Sequence, residues 1–370
     1  MKKELLKIGF KPLTLCNKFI KKDNRLIFFY SNLGFRDNVK AFYDYLIREG
    51  YHKEYRIVVS ANDYERFEQD APEGVTFVGT KEGIRYFLKA KYAFFCFGKY
   101  PIKPAKKQMV VNLWHGTPLK KIGNLEQGCE KIDYNFFTKV LTTAPMYKPI
   151  MASIFGCKES QVEVMGNPRN DEMFVADSLV DTSIRRGSRK VFLWLPTYRE
   201  YNPDFVISCL SREDLERLNE YLKGVDCRLI IKTHPLQKVE EVVKYPYIDF
   251  ITEEQLQKQK MTVYTLLRNA DALITDYSSV YFDYMLLNRP IAFAVEDMEE
   301  YRQKRGFVFD NPKEYMPGME IKNVADVEIF MADTFNGMDP YKEQREEINH
   351  RVNYYQDGDT CERIANRFIR

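Results

Sequence analysis

Residues 272–290 read Ala-Leu-Ile-Thr-Asp-Tyr-Ser-Ser-Val-Tyr-Phe-Asp-Tyr-Met-Leu-Leu-Asn-Arg-Pro, and the order of residue types here decides the fold class. Residues 272–275 predict a short buried strand, Asp276 to Ser278 a sharp turn, and residues 279–287 a helix ended by Asn288 and Pro290. A polar cluster therefore sits where a strand hands over to a helix. In open α/β sheets that junction, outside the carboxyl ends of the strands, is where ligands bind. Ser278 and Ser279 put two hydroxyls beside the unpaired N–H groups and positive dipole end of the helix, a setting suited to an anion such as phosphate. The plainer reading of the same residues is that Asp276 and Ser279 cap the helix.

Outward from this stretch the same alternation recurs. Toward the N-terminus, strands are expected at residues 25–30, 55–60, 74–78, 92–97, 108–114, 139–142 and 162–165, with helices at 37–48, closed by Gly50, and at 81–89. The second half offers strands at 190–195, 227–232, 248–252 and 291–295, with helices at 212–222 and 262–268. Strands alternating with helices of this length imply parallel βαβ units. Residues 171–189 are polar and lack periodicity, which makes them the expected linker between two Rossmann-like domains facing each other across a cleft. The expected divisions are an arm (1–24), a first domain (25–170), the linker (171–189), a second domain (190–340) and a helical C-terminal segment (341–370).

Four apolar runs end in polar, turn-forming tetrapeptides. They are His115-Gly116-Thr117-Pro118, Pro196-Thr197-Tyr198-Arg199, Lys232-Thr233-His234-Pro235 and Asp276-Tyr277-Ser278-Ser279. Singly, each has an ordinary explanation: His115 or His234 as a hydrogen-bonded core histidine, Thr197 as an N-cap. Together they describe a site lined from both domains, because parallel strands deliver their carboxyl ends to one edge of the sheet. Histidine suits proton transfer near neutral pH and, when charged, holds phosphate. Lys232, Arg199 and Arg305 add cations, although long basic side chains are also ordinary solvated surface.

Composition narrows the class. The chain has 370 residues, 45% of them hydrophobic, with 56 basic and 53 acidic residues and a net charge of +3. That length holds two domains, and that balance excludes a strongly basic nucleic-acid binder. The seven cysteines show no metal-ligand spacing and read as reduced cytoplasmic thiols. No signal-peptide pattern occurs, and no apolar run approaches the roughly 20 residues needed to span a bilayer. The dinucleotide-binding glycine fingerprint and the Walker sequence are missing, so neither NAD nor a P-loop nucleotide triphosphatase is supported, and no zinc spacing or Gly-x-Ser-x-Gly elbow appears. Residues 1–25 carry eight basic and two acidic side chains, a local charge of +6, interleaved with Leu5, Leu6, Ile8, Phe10, Leu13, Leu15, Phe19 and Ile20. Such an arm can lie on anionic lipid, remain solvated, or pack on the body as a helix; Pro12 is expected to break it into two short pieces.

Six blocks carry a resemblance to a known family: 112–123 (Asn-Leu-Trp-His-Gly-Thr-Pro-Leu-Lys-Lys-Ile-Gly), 166–171 (Gly-Asn-Pro-Arg-Asn-Asp), 195–199 (Leu-Pro-Thr-Tyr-Arg), 231–235 (Ile-Lys-Thr-His-Pro), 273–283 and 301–310. In type and order they resemble the CDP-glycerol glycerophosphotransferases of teichoic acid synthesis, as does the Asp37-Asn38 pair after Gly34. Asn167 and Glu200 depart from the residues usual at their positions. The resemblance implies a GT-B-like α/β fold and transfer of glycerol phosphate from CDP-glycerol to a hydroxyl of a polyprenyl-diphosphate-linked glycan acceptor, releasing CMP. It implies no cofactor and no essential metal. On this view the first domain is acceptor-side, with His115 as base and Gly116, Thr117, Asp37 and Asn38 contacting substrate. The second binds the CDP-alditol through Asp276, Ser278, Ser279, Lys232, Thr197, Arg199 and Arg305, with His234 balancing phosphate charge. The implied location is the cytoplasmic face of the membrane, held peripherally on an anionic surface, with no nucleic-acid partner. CDP-ribitol or another alditol as donor remains open, as does a non-catalytic scaffold binding nucleotide or glycolipid.

Overall fold

A computed structural model of the chain describes residues 2–175, 178–197, 210–232 and 244–369. The chain divides into two compact units, one of Met1–Gly116, Ile122–Asp171 and Tyr354–Arg370, the other of Thr117–Lys121 and Glu172–Asn353.

In the first unit the described strands are β1 (Asp23–Ser31), β2 (Arg56–Ala61), β3 (Val75–Val78), β4 (Ala90–Phe95), β5 (Met109–Asn112), β6 (Lys139–Thr142) and β7 (Val162–Val164). They form one parallel sheet in the order β3-β2-β1-β4-β5-β6-β7. Leu26 to Tyr30 are all buried, the continuous apolar run of a strand covered on both faces. The helix Asp37–Arg48 covers one face with Val39, Phe42, Tyr43 and Leu46, an i, i+3, i+4, i+7 stripe. A second stripe of the same spacing, Cys361, Ile364, Ala365 and Phe368 on the helix Thr360–Phe368, enters the same core from the far end of the chain.

The second unit contains β8 (Lys190–Leu195), β9 (Cys227–Lys232), β10 (Ile248–Ile251), β11 (Ala272–Thr275), β12 (Ile291–Phe293) and β13 (Met319–Glu320). Its sheet is also parallel, in the order β10-β9-β8-β11-β12-β13. Both sheets therefore reverse direction of growth at one point, between β1 and β4 and between β8 and β11. The turn-to-helix passage after β11 is shorter than expected: α-helical pairing covers Val280–Tyr284, continues as a 3₁₀ turn over Met285–Leu287, and ends at Asn288 in the left-handed conformation.

Two stretches differ from the sequence-based expectation. The arm is one helix, Lys2–Asn17, running through Pro12. A proline costs a helix interior one hydrogen bond and about 3 kcal/mol, but tertiary anchoring overrides such local preferences. Here the anchor is Asn17, wholly buried, whose amide donates to the carbonyl of Lys103 (3.0 Å) and to Gln108 Oε1 (2.9 Å). Within the expected linker, Ser178–Arg185 form a helix, and Arg185 pairs with Asp271 of the second unit at 3.0 Å.

The C-terminal return also has a local lock. Asp171 accepts backbone N–H bonds from Thr360 (3.0 Å) and Cys361 (2.8 Å) at the start of the last helix, and burial lifts its carboxyl to about 6. Ile364 is fully buried in the core shared with the helix Asp37–Arg48. Ile364→Ala should therefore destabilise the first unit by about 2–5 kcal/mol, the usual range for such core truncations. Urea unfolding followed by tryptophan fluorescence measures this; an unchanged midpoint for the first unit would show that the return helix is not part of its core.

Candidate functional site

In the first unit the polar residues gather outside the ends of β1, β4 and β5. Asp37 opens its helix at φ 60°, and Trp114, just beyond β5, also has φ 60°. Left-handed conformations of non-glycine residues cost on the order of 1–3 kcal/mol and persist only where surrounding contacts enforce them. Gly116, at φ 143°, occupies backbone space that favours glycine. His115 lies between these two residues. Its half-buried imidazole is stacked on Phe97, with ring centroids 5.1 Å apart, and against Trp114 at 3.8 Å.

The neighbouring side chains are committed to one another. Arg169 pairs with Asp37 at 2.8 Å and donates to the carbonyl of His115 at 3.0 Å. Asn38, wholly buried, donates to the carbonyl of Trp114 (2.9 Å) and accepts from the backbone N–H of Arg169 (3.0 Å). The Cys96 thiol donates to the same Trp114 carbonyl at 2.8 Å. Asp37 and Asn38, expected to contact substrate, thus have their polar atoms engaged within the protein.

Burial pushes the His115 imidazole down to about 4; the Asp37 carboxylate opposes this shift and the Arg169 guanidinium reinforces it. The imidazole is therefore neutral across the physiological range, as a proton acceptor must be.

In the second unit the switch point between β8 and β11 is closed by Asp276. Its carboxylate accepts from the Thr197 backbone N–H (2.8 Å), from the Thr197 hydroxyl and from the Ser278 N–H (3.2 Å). Thr275 adds a hydroxyl bond to the carbonyl of Leu195 at 2.7 Å, so the ends of two adjacent strands are tied together. Ser278 Oγ accepts from the Val280 N–H at 3.4 Å, whereas Ser279 makes no capping bond with its side chain. Ser279 therefore makes no side-chain cap, and Asp276 serves both its own turn, through the Ser278 N–H, and the neighbouring strand end, through Thr197.

Lys232 lies at the end of β9 and pairs with Glu253 at 3.0 Å. Arg305 is exposed at the end of the helix Met298–Lys304. Thr117 is buried and belongs to the second unit, in a segment whose Lys120 bridges Phe307 in antiparallel fashion. Arg199 and His234 lie outside the described residues.

Sequence reasoning missed Arg169, Cys96, Phe97 and the pairing of Tyr277. The Tyr277 hydroxyl donates to Asp297 at 2.8 Å, and its ring stacks on Tyr301 at 4.1 Å. Arg169 stood within a recognised block, yet nothing local marks a partner 132 residues away. Among the described residues no group of three or more His, Cys, Asp or Glu side chains is arranged to hold a metal, and no helix is long and apolar enough to cross a membrane.

Two parallel Rossmann-like sheets, each with a polar cluster at its switch point, define a GT-B-like α/β protein. The model of the CDP-glycerol:poly(glycerophosphate) glycerophosphotransferase family matches residues 11–370, and the chain belongs to that family. It is 30% identical over 277 residues to the teichoic acid glycerol-phosphate primase of Bacillus subtilis (strain 168), covering 70% of this chain and 68% of the relative. It is 28% identical over 288 residues to the teichoic acid poly(ribitol-phosphate) polymerase of Bacillus spizizenii, covering 73% of this chain but only 44% of the relative, so the chain matches less than half of that polymerase. In structure it is similar to the wall teichoic acid polymerase TagF, with a TM-score of 0.77 at 22% identity over 99% of this chain and 96% of that one.

The depressed His115 pKa has a defined linkage. Between pH 6.5 and about 4 the unfolded chain binds a proton there that the folded chain does not, so this histidine's stability contribution is complete above pH 6.5 and is lost as pH falls through 4. Histidine-selective NMR should find the His115 ring unprotonated at pH 5.5; a midpoint near 6.5 would contradict the buried, stacked environment.

Proposed function

We propose that this chain transfers glycerol phosphate from CDP-glycerol to a hydroxyl of a polyprenyl-diphosphate-linked acceptor, releasing CMP, in the synthesis of teichoic acid or a related cell-wall or capsular polymer. The observation that carries the reading is the pair of strand-end clusters, Trp114-His115-Gly116 and Asp276-Tyr277-Ser278-Ser279, in a chain whose family is defined on this chemistry.

In this reading the half-buried, neutral His115 takes the proton of the acceptor hydroxyl as its oxygen attacks the phosphorus bearing the glycerol. The bond from that phosphorus to the bridging oxygen breaks, and the electron pair leaves with CMP. The Ser278 and Ser279 hydroxyls hold the diphosphate, with His234, Arg199 and Arg305 sharing its charge. Asp276 sets the turn that presents the serines, and Thr197 acts through it. In-line positioning and charge stabilisation supply the remaining rate enhancement, with no metal or cofactor.

CDP-ribitol is a second donor reading, favoured by the 28% identity to a poly(ribitol-phosphate) polymerase beside the 30% identity to a glycerol-phosphate primase. CMP release from CDP-glycerol and from CDP-ribitol, each with a lipid-linked acceptor, separates the two. Silence with both donors and a competent acceptor would favour a binding scaffold. His115→Ala should fold, bind donor and lose at least about a hundredfold in turnover, within the range for general base catalysis. Ser279→Ala should instead weaken donor use by about tenfold to a hundredfold, the equivalent of one charge-assisted hydrogen bond. Wild-type turnover in the folded His115 variant, or wild-type donor use in the serine variant, would remove the corresponding role.

The arm is the proposed attachment to the anionic inner face of the membrane. Leu15 and Phe19 are exposed at 57% and 82%, beside exposed Lys11, Lys18 and Lys21. Each such lysine contributes on the order of 1 kcal/mol near an anionic surface, so attachment is reversible and weakens with salt. Liposome sedimentation of full-length protein and a Phe19→Glu, Lys18→Glu, Lys21→Glu variant should show binding to anionic vesicles at low salt for the former only. Equal binding would assign the attachment elsewhere.

A further inference from the structure

The loop that carries His115 lies beyond the last ladder bond of a four-residue strand, so sheet pairing does not fix it. Side chains do. The peptide carbonyl before His115, that of Trp114, accepts from Asn38 Nδ2 at 2.9 Å and from the Cys96 thiol at 2.8 Å. The carbonyl of His115 itself accepts from Arg169 at 3.0 Å. Arg169 and Asn38 are joined in turn, by the Arg169 backbone N–H to Asn38 Oδ1 at 3.0 Å, and the guanidinium is held by Asp37 at 2.8 Å. Asn38 is fully buried and Arg169 is 7% exposed. Both peptide planes flanking His115 are therefore clamped, and Phe97 and Trp114 restrict the ring that projects between them.

We infer that Arg169 is the positioning residue of this site: with Asp37 and Asn38 it sets the orientation of the His115 imidazole, and the three act through His115 in place of the substrate contact expected of Asp37 and Asn38. The inference rests on the reading of His115 as the base, but its geometry does not depend on which alditol is transferred. Three features support it. The buried Arg169 guanidinium spends its Nη1 on both the Asp37 carboxylate and the His115 carbonyl. The wholly buried Asn38 spends its oxygen on Arg169 and its amine on the Trp114 and Leu113 carbonyls. The clamp also holds Trp114 in a left-handed conformation that a bulky residue does not adopt unaided.

Among the described residues, Asp37 and Arg169 act on the charge of the ring, the Cys96 thiol bonds the Trp114 carbonyl, and the Arg36 guanidinium lies 5.8 Å from the centre of the Phe97 ring. Asp37 favours the protonated imidazole and Arg169 disfavours it. Removing the two charges in turn should consequently move the His115 titration in opposite directions, and a loss of kcat at unchanged donor KM separates positioning from charge proximity alone.

The test uses the full chain, whose histidines number four. Ring resonances of labelled protein are followed against pH in wild type, Arg169→Gln, Arg169→Lys and Asp37→Asn, with the His115 signal identified by its loss in His115→Gln. Arg169→Gln should raise the His115 midpoint by about one unit, Asp37→Asn should lower it, and Arg169→Lys should leave it near wild type. In CMP-release assays Arg169→Gln should lower kcat by about a hundredfold, the scale of a misplaced catalytic group, with the donor KM unchanged and most of the rate recovered in Arg169→Lys. An unmoved His115 midpoint in both charge-removing variants overturns the inference, as does a raised donor KM with kcat retained, which would make Arg169 a substrate contact. If Arg169→Gln does not fold, the direction of the shift in Asp37→Asn decides. If wild-type protein releases no CMP from any CDP-alditol, the proposed function falls, while the opposed titration shifts still support the clamp and their absence still overturns it.

Discussion

Parallel strand pairing at the centre of each sheet is the constraint on which the rest of the structure depends. In the first unit β1 pairs with β4, setting Tyr30 opposite Phe95, and in the second β8 pairs with β11, setting Leu195 opposite Thr275. Because these strands run the same way, their carboxyl ends emerge side by side, and the helices that return the chain leave from neighbouring points in opposite senses. Polar residues that are far apart in sequence are thereby collected at a strand edge whose backbone has run out of ladder partners. The ligand-binding character of such an edge comes from this unsatisfied polarity as much as from any side chain placed there.

The two units manage that polarity with different devices. At the second, one carboxylate, Asp276, accepts from Thr197 and Ser278 and ties two strand ends together, leaving the serine hydroxyls as the adaptable groups. At the first, the loop after β5 is held by donors instead: Asn38, Cys96 and Arg169 converge on two consecutive carbonyls. A buried guanidinium is costly unless it is paired, and the Asp37 carboxylate supplies the pairing charge. The outcome is a strained turn around a histidine whose own titration is set by burial among aromatic rings. Strain of this kind persists only where surrounding contacts over-determine it.

Support for the first cluster comes from both chain ends. The last helix inserts Cys361, Ile364, Ala365 and Phe368 beneath the helix that carries Asp37 and Asn38, and Asp171 binds the amides at its start. Asn17 anchors the end of the basic arm to Gln108 and Lys103, on the segment leading into β5. These long-range contacts explain how a helix with an internal proline ends in a fixed place.

The sequence by itself determined the elements and their class. Hydrophobic runs of strand length alternating with amphipathic stripes located nearly every described strand, and the helices Asp37–Arg48, Thr80–Lys89, Arg212–Gly224 and Val263–Asn269, to within a residue or two, because burial periodicity is a local property written at each position. The helices Lys148–Phe155, Met298–Lys304 and Val324–Phe335 were not placed. Strand ends marked by His115, Thr197, Lys232 and Asp276 were legible for the same reason, since a polar residue interrupting an apolar run is visible without a fold. Partner choice belonged to the tertiary structure. Nothing near Arg169 in sequence points to Asp37, nothing near Thr360 points to Asp171, and nothing near Tyr277 distinguishes Asp297 from other acidic residues. The continuity of the arm through Pro12 and the helix Ser178–Arg185 were missed because local propensity omits the contacts that override it. Hydrogen-bond partners across tens of residues are selected by the cost of burying an unpaired polar group, and that cost exists only once the sheets have formed.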